Sequence, residues 1–213
     1  MVAVALVERD YRVMRDIERF RCCLGRHIKI LADFEGLRQC DRRLKSLLEA
    51  GYVSRKIVLY GVPSVYSLTH KGKMLIGANK RQDKIRVERV VHDIAVLDTV
   101  IYFMLKHEIE VGKIITEKEL NSTRGFEQRK HQPDFVFKKA DKTYCVEIEL
   151  TAKSKQRFVE IVQENYLNYD TQYWVIAKTG VKILKMLESL QEGYPNIEIM
   201  EMEEIQEFAR NNK

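Results

Sequence analysis

Between Leu37 and Leu68 the hydrophobic period changes from helical to alternating, with one glycine at the change. Leu37 to Ala50 reads as a helix with Leu44, Leu47 and Leu48 on its inner face, and Gly51 stops it as residues just past a helix end commonly do. Tyr52 to Tyr60 then reads as a strand, Gly61-Val62-Pro63-Ser64 as a turn, and Val65 to Leu68 as the returning strand. Upstream, Glu8 to Arg19 carries Tyr11, Val13, Met14 and Ile17 near helical spacing. Leu24 to Phe34 reads as a second helix, and Glu35-Gly36 as a tight break before the third. Thr69 is placed to cap a further helix opening at His70. Three helices followed by a hairpin leave few alternatives for the first third of the chain.

Charge separates this part from the rest. The chain has 37 Lys/Arg and 31 Asp/Glu, a net of +6. Residues 1–85 hold 18 basic and 9 acidic side chains, an excess of nine positive charges, and residues 86–213 hold 19 and 22, an excess of three negative ones. A basic module joined to a nearly neutral one points to a polyanion, above all nucleic acid, as partner of the first module.

The text LRQCDRRLKSLLEAGYVSRKIVLYGVPSVYSLTHKG resembles the winged helix-turn-helix family. The resemblance implies that the third helix enters the major groove of double-stranded DNA. Its outward residues are expected to be Arg38, Gln39, Arg42, Arg43 and Lys45, with Arg55 and Lys56 of the first wing strand on backbone phosphates. A solvated basic face is the plainer alternative. Cys22, Cys23 and Cys40 read as small core residues.

The polar stretch Ala78 to Lys84 is the expected boundary between a winged-helix domain over 1–80 and an α/β domain over 85–213. Val87 to His107 reads as a largely buried helix, on which His92, Asp93 and Asp98 have structural roles. Val111 to Thr116 reads as a strand. The polar segment 117–131 after it carries Arg124, Arg129 and Lys130, placed to approach phosphates, and His131, just before Pro133-Asp134, reads as a surface residue, with contact to a phosphate or to the site as the alternative.

Pro133 to Lys138 and Tyr144 to Leu150 read as paired strands around an Asp141-Lys142 turn. Side chains alternate, so Val146, Ile148 and Leu150 share one face while Glu147 and Glu149 share the other, about 6.5–7 Å apart at Cα. The hairpin brings Asp134 beside them. Three acids this close repel one another and invite an oxygen-liganded divalent cation, Mg²⁺ or Mn²⁺ rather than Zn²⁺. The alternative is that both glutamates face solvent on an edge strand. A helix from Lys153 to Tyr169, a strand from Tyr173 to Ala177, a helix from Val181 to Leu190, a short strand from Ile197 to Met200 and an acidic helical tail complete a mixed α/β sheet. The fold class expected is therefore α/β (α+β).

Pro-Asp followed by Glu-x-Glu resembles the restriction-endonuclease-like PD-(D/E)xK nucleases. With the N-terminal module, HQPDFVFKKADKTYCVEIELTAKS and RFVEIVQENY are similar to the plasmid replication-relaxation family, which occurs on plasmids and other mobile elements of bacteria. The resemblance implies Asp134 and Glu147 as Mg²⁺ ligands. It also implies a lysine two positions after Glu147, where this chain has Glu149. Lys153 has a stem long enough to reach back into the site, and Glu149 would then serve as a further ligand or general base. The expected function is Mg²⁺-dependent phosphodiester hydrolysis. The alternative is a non-enzymatic DNA-binding regulator or replication accessory with a decayed nuclease domain. Replication or mobilisation proteins are compatible partners, and a homodimer is compatible with a palindromic DNA site.

Nucleotide-driven motors, serine hydrolases and HExxH metalloproteases are not indicated, since GxxxxGK[ST], GxSxG and HExxH do not occur. Four cysteines without CxxC spacing lead to the expectation of a reduced, cytoplasmic protein, and no apolar run is long enough to span a bilayer. The seven apolar residues at the start are too few for a signal peptide.

Overall fold

The computed structural model describes residues 4–58, 60–78, 86–123, 131–151 and 153–212. It divides into two compact units, residues 1–101 with 209–213, and residues 102–208. The expected boundary at 78–84 lies, except for Ala78, outside the described residues, as do Arg124, Arg129 and Lys130.

The first unit opens with α1 (Glu8–Phe20), β1 (Cys23–Leu24), α2 (Gly25–Leu31) and α3 (Leu37–Glu49). The hairpin β2 (Val53–Lys56) and β3 (Val65–Leu68) and the short α4 (His70–Leu75) follow. The long α5 (Val87–Lys106) runs from this unit into the second. Strands order as β1-β3-β2, all antiparallel. Three features differ from the sequence expectation. The strand expected over 52–60 stops at Lys56, Cys23–Leu24 adds a strand, and Leu48 is exposed. Cys40, Leu44 and Leu47 lie within one narrow face of the helix and are buried, whereas Leu48, four residues after Leu44, falls at the edge of that face and is exposed.

Val13, Met14 and Ile17 of α1, Ile28 of α2, Leu44 and Leu47 of α3 and Val53 of β2 are all buried in its core. A second cluster joins Cys22, Leu24 and Val65 to Val90 and Ile94 of α5. The long helix that the sequence assigns to the second module thus contributes to the core of the first. Its Asp98 is structural, as expected. It is bound in a fork by Arg26, with Nη2 at 2.8 and 2.9 Å from its two oxygens. His27 Nε2 lies 2.9 Å from Oδ1. His27 Nδ1 accepts from the Leu24 backbone N–H, so the proton on Nε2 faces Asp98. Burial lowers the His27 pKa, and a neutral ring suits both bonds.

Thr69 caps α4 as expected, its hydroxyl accepting from Gly72 N–H at 3.1 Å. Gly72 is required by a close approach: a Cβ there would sit 2.2 Å from the Tyr52 carbonyl oxygen. Gly72→Ala is expected to push α4 off the hairpin and to cost about 1–3 kcal/mol by chemical denaturation. An unchanged midpoint would contradict this packing.

Asp16 is buried on α1, and its Oδ2 has no hydrogen-bond partner. Burial pushes its carboxyl up to about 7, against the pull of Arg19, Arg12 and Arg15. A folded-state pKa above the unfolded value stabilises the fold at low pH, and that contribution is lost as pH rises through about 7. Asp16→Asn is therefore expected to unfold later than the parent at pH 8, with the gap closing towards pH 4. Parallel pH–stability curves would contradict it.

The second unit is built on a mixed sheet in the order β4-β5-β6-β7-β8. A 3₁₀ turn (Val111–Lys113) leads into β4 (Ile114–Thr116), then α6 (Glu117–Thr123), β5 (Phe135–Lys139) and β6 (Lys142–Glu149). Next come α7 (Lys155–Asn168), β7 (Thr171–Ile176), α8 (Val181–Gln191), β8 (Ile197–Glu201) and α9 (Met202–Asn211). β4, β5 and β6 pair antiparallel, whereas β6, β7 and β8 pair parallel through helical crossovers. One sheet face carries Phe135, Phe137, Tyr144 and Tyr173, with Phe103 among their rings. The other carries Trp174 and Ile176, covered by Phe158, Ile161 and Val162 of α7. The chain is an α/β protein, as expected. Among the described residues no helix is long and apolar enough to cross a membrane.

Candidate functional site

β6 is the central strand of its sheet, and from Cys145 to Glu149 its side chains are buried on both faces. Glu147 and Glu149 point to the α7 side, beside Trp174 and Ile176 in the parallel register, and both are only 4% exposed. The alternative of solvent-facing glutamates on an edge strand is overturned, because β5 and β7 flank β6 and α7 lies over it. All four cysteines are buried and free.

Asp134 lies immediately before β5, whose pairing with β6 ends at Phe135 and Val146. The Asp134 N–H donates to the Val146 carbonyl at 3.1 Å, and its Oδ2 accepts from the Ile148 N–H at 2.8 Å.

Two side chains absent from the sequence-derived set complete the surroundings of Glu147. His131 Nε2 lies 2.6 Å from Glu147 Oε1, and Asn165 Nδ2 of α7 donates to the same oxygen at 2.9 Å. His131 is therefore no surface residue but a half-buried partner of the acid. Burial, reinforced by the Asp134 charge, raises the Glu147 pKa. Burial pulls His131 down, but the hydrogen bond and charge of Glu147 outweigh it and its pKa is raised.

Glu149 is held differently. Lys153, just ahead of α7, reaches back and places Nζ on Glu149 Oε2. The length of the lysine stem carries it to the acid, as the sequence reading anticipates. Ser154 then caps α7 through the Arg157 N–H.

Two buried amide oxygens of this region, Asn165 Oδ1 and Gln132 Oε1, accept no hydrogen bond. Asn165 is 1% exposed, and its Nδ2 is committed to Glu147, so its oxygen is fixed in the protein interior with its acceptor capacity unused. Leaving a buried acceptor unpaired costs about 1–3 kcal/mol. Oxygen donors of this kind, with Asp134 and Glu147, form the chemistry that Mg²⁺ or Mn²⁺ selects. Among the described residues no three His, Cys, Asp and Glu side chains are gathered as a metal-binding group.

In the first unit the structure splits the residues assigned to α3. Arg38, Arg42 and Lys45 form one exposed stripe at helical spacing, with Lys45 3.8 Å from Glu49. Gln39 and Arg43 turn inward. Gln39 Oε1 is buried, and Arg43 grips the carboxylate of buried Asp10, with Nε at 2.6 Å from Oδ1 and Nη2 on Oδ2. Nη2 also donates to the Ala5 carbonyl at 2.7 Å. Arg43 is thus a tie between α1 and α3. Its partner Asp10 lies 33 residues away, beyond what helical periodicity registers. Arg55 and Lys56 are exposed on β2, the Arg55 guanidinium 5.9 Å from the Tyr66 ring centre.

No curated protein and no solved structure matches the chain. A family model for replication-relaxation proteins does match, over residues 14–184. That span includes α3, the hairpin, Asp134, Glu147, Glu149, Lys153 and Asn165, and the chain accordingly belongs to the replication-relaxation family.

Proposed function

We propose that this replication-relaxation protein holds double-stranded DNA through a winged helix formed by α1–α4 and the β2–β3 hairpin, and hydrolyses a phosphodiester bond at the Asp134–Glu147 site. The observation that carries the reading is Glu147. It is an acid buried on a central strand, within reach of the Asp134 charge, and bonded to an asparagine whose own oxygen has no partner. A purely structural core has little reason to bear that cost.

Mg²⁺ or Mn²⁺ is the cofactor the site would take, with Asp134 and Glu147 as ligands and Asn165 Oδ1 as an additional oxygen. Such an ion lowers the pKa of water and stabilises charge on a phosphate. The protein's own groups supply the rest. Asp134 is oriented by the Ile148 N–H, Asn165 fixes the rotamer of Glu147, and Lys153 brings positive charge beside the acids. Glu149 takes the position of the expected lysine and anchors Lys153 there. On the DNA side, the exposed stripe Arg38, Arg42 and Lys45 supports groove contact, and Arg55 and Lys56 support contact with phosphate.

A second reading, a non-enzymatic replication accessory, is favoured by the ion pairs themselves. His131 on Glu147 and Lys153 on Glu149 compensate both buried acids without a metal. Supercoiled, linear and branched DNA incubated with Mg²⁺ or Mn²⁺ separates the two. Cleavage that a chelator abolishes supports hydrolysis. No cleavage of any form, together with no metal binding by calorimetry, leaves the accessory reading.

A further inference from the structure

The loop joining β2 to β3 carries two large apolar side chains that enter no core. Ile57 is 80% exposed and Tyr60 is fully exposed. Their neighbours behave oppositely: Val58 and Val62 turn inward against the cluster of Cys22, Leu24, Val65, Val90 and Ile94. The loop is therefore anchored on its inner side, and Gly61, at φ +76°, supplies the left-handed turn beside Tyr60. The Tyr60 ring is thus left open to solvent beside the anchored Val58 and Val62.

The surroundings of the ring select its partner. Arg55 and Lys56 are exposed immediately before the tip. Not one Asp or Glu occurs between Glu49 and Asp83. The ligand must combine negative charge with a flat apolar face. An unpaired nucleobase with its flanking phosphates has both, and base–aromatic stacking is tolerant of sequence because every base has a π-face.

We propose that the tip of this hairpin is a stacking platform for an unpaired base at the edge of a DNA duplex. Tyr60 takes the face of the base, Ile57 packs beside it, and Arg55 and Lys56 hold the adjoining phosphates. The inference rests on the DNA-binding reading above and adds that the protein distinguishes a duplex with an opened end, fork or bubble from a fully paired one.

The test uses the full chain and two oligonucleotides of equal length, one fully paired and one forked with 2-aminopurine at the first unpaired position. Anisotropy reports affinity, and quenching of the 2-aminopurine reports stacking. The wild type is expected to bind the fork more tightly and to quench the probe. Tyr60→Ala is expected to weaken fork binding about 5- to 150-fold, with fully paired duplex held within about twofold, and Tyr60→Phe to restore both signals. A Tyr60→Ala variant that weakens both forms equally, or neither, overturns the inference while the DNA-binding reading stands. A wild type that binds neither form overturns both. Sedimentation with phosphatidylserine vesicles is the remaining arm: Tyr60-dependent vesicle binding without fork preference would assign the tip to a membrane surface and overturn the base-stacking proposal.

Discussion

Arg43→Ala is expected to destabilise the first unit by about 3–5 kcal/mol, whereas Arg42→Ala, one residue earlier on the same helix, is expected to stay within about 0.5 kcal/mol. Asp10 is completely buried, and Arg43 meets both its oxygens while also reaching the Ala5 carbonyl. Removing the guanidinium leaves an uncompensated carboxylate in the core. A second bond, from the Val7 N–H to Asp10 Oδ2 at 2.7 Å, is too small a partner to replace it. Chemical denaturation of the two variants checks the claim, and equal midpoints would refute it. The same pair of variants divides structure from DNA contact. Arg42→Ala should weaken duplex binding in a gel shift with the fold intact, while any loss in Arg43→Ala should follow its loss of stability. Replacing Arg43 and Asp10 together by apolar residues of similar volume should recover most of the stability, because the desolvation of both groups is then avoided.

The other large effect concerns the acids on β6 and before β5. Asp134→Asn and Glu147→Gln are each expected to lower metal-dependent DNA cleavage by at least about a hundredfold, since each removes a charged ligand while preserving shape. Glu147→Gln should not unfold the protein. Burial already raises the pKa of this acid, so a neutral side chain of the same length removes a desolvation penalty. Thermal unfolding measured beside the cleavage rate therefore distinguishes loss of chemistry from loss of fold. Wild-type cleavage rates in both variants would remove these residues from the reaction. A stable Glu147→Gln protein beside a wild type that never cleaves would favour the accessory role.

Much of the architecture was legible from local pattern. The step from α3 through Gly51 to the hairpin, the Thr69 cap, and the alternation along 144–150 depend on the spacing of neighbouring residues. They emerged close to their observed bounds. The parallel pairing of β6 with β7 followed from the helical crossover between them. The length of the first hairpin strand was misjudged because Ile57 and Tyr60 look like strand residues. In the structure they point to solvent, and no partner strand continues beside them.

The acids of the site show the same division. The common face of Glu147 and Glu149 could be read from a period of two. His131 and Asn165 could not be found that way. They lie 16 residues before and 18 residues after Glu147, and neither belongs to its strand. Nor does periodicity tell which arginine of a basic helix is free. Arg38 and Arg42 share a stripe, Arg43 lies next to it, and Asp10 of another helix decides its orientation.

By itself, then, the sequence of this protein determined most of its secondary elements, the segregation of positive charge into the first 85 residues, and the placement of Glu147 and Glu149 on one sheet face. Only the tertiary structure decided the partners: His131 and Asn165 for Glu147, Lys153 for Glu149, Asp10 for Arg43, and none for the oxygen of Asn165. The reason is range. Backbone periodicity is set by neighbours a few residues apart, whereas a buried charge is compensated by whatever group the packed chain brings within about 3 Å, however distant in sequence.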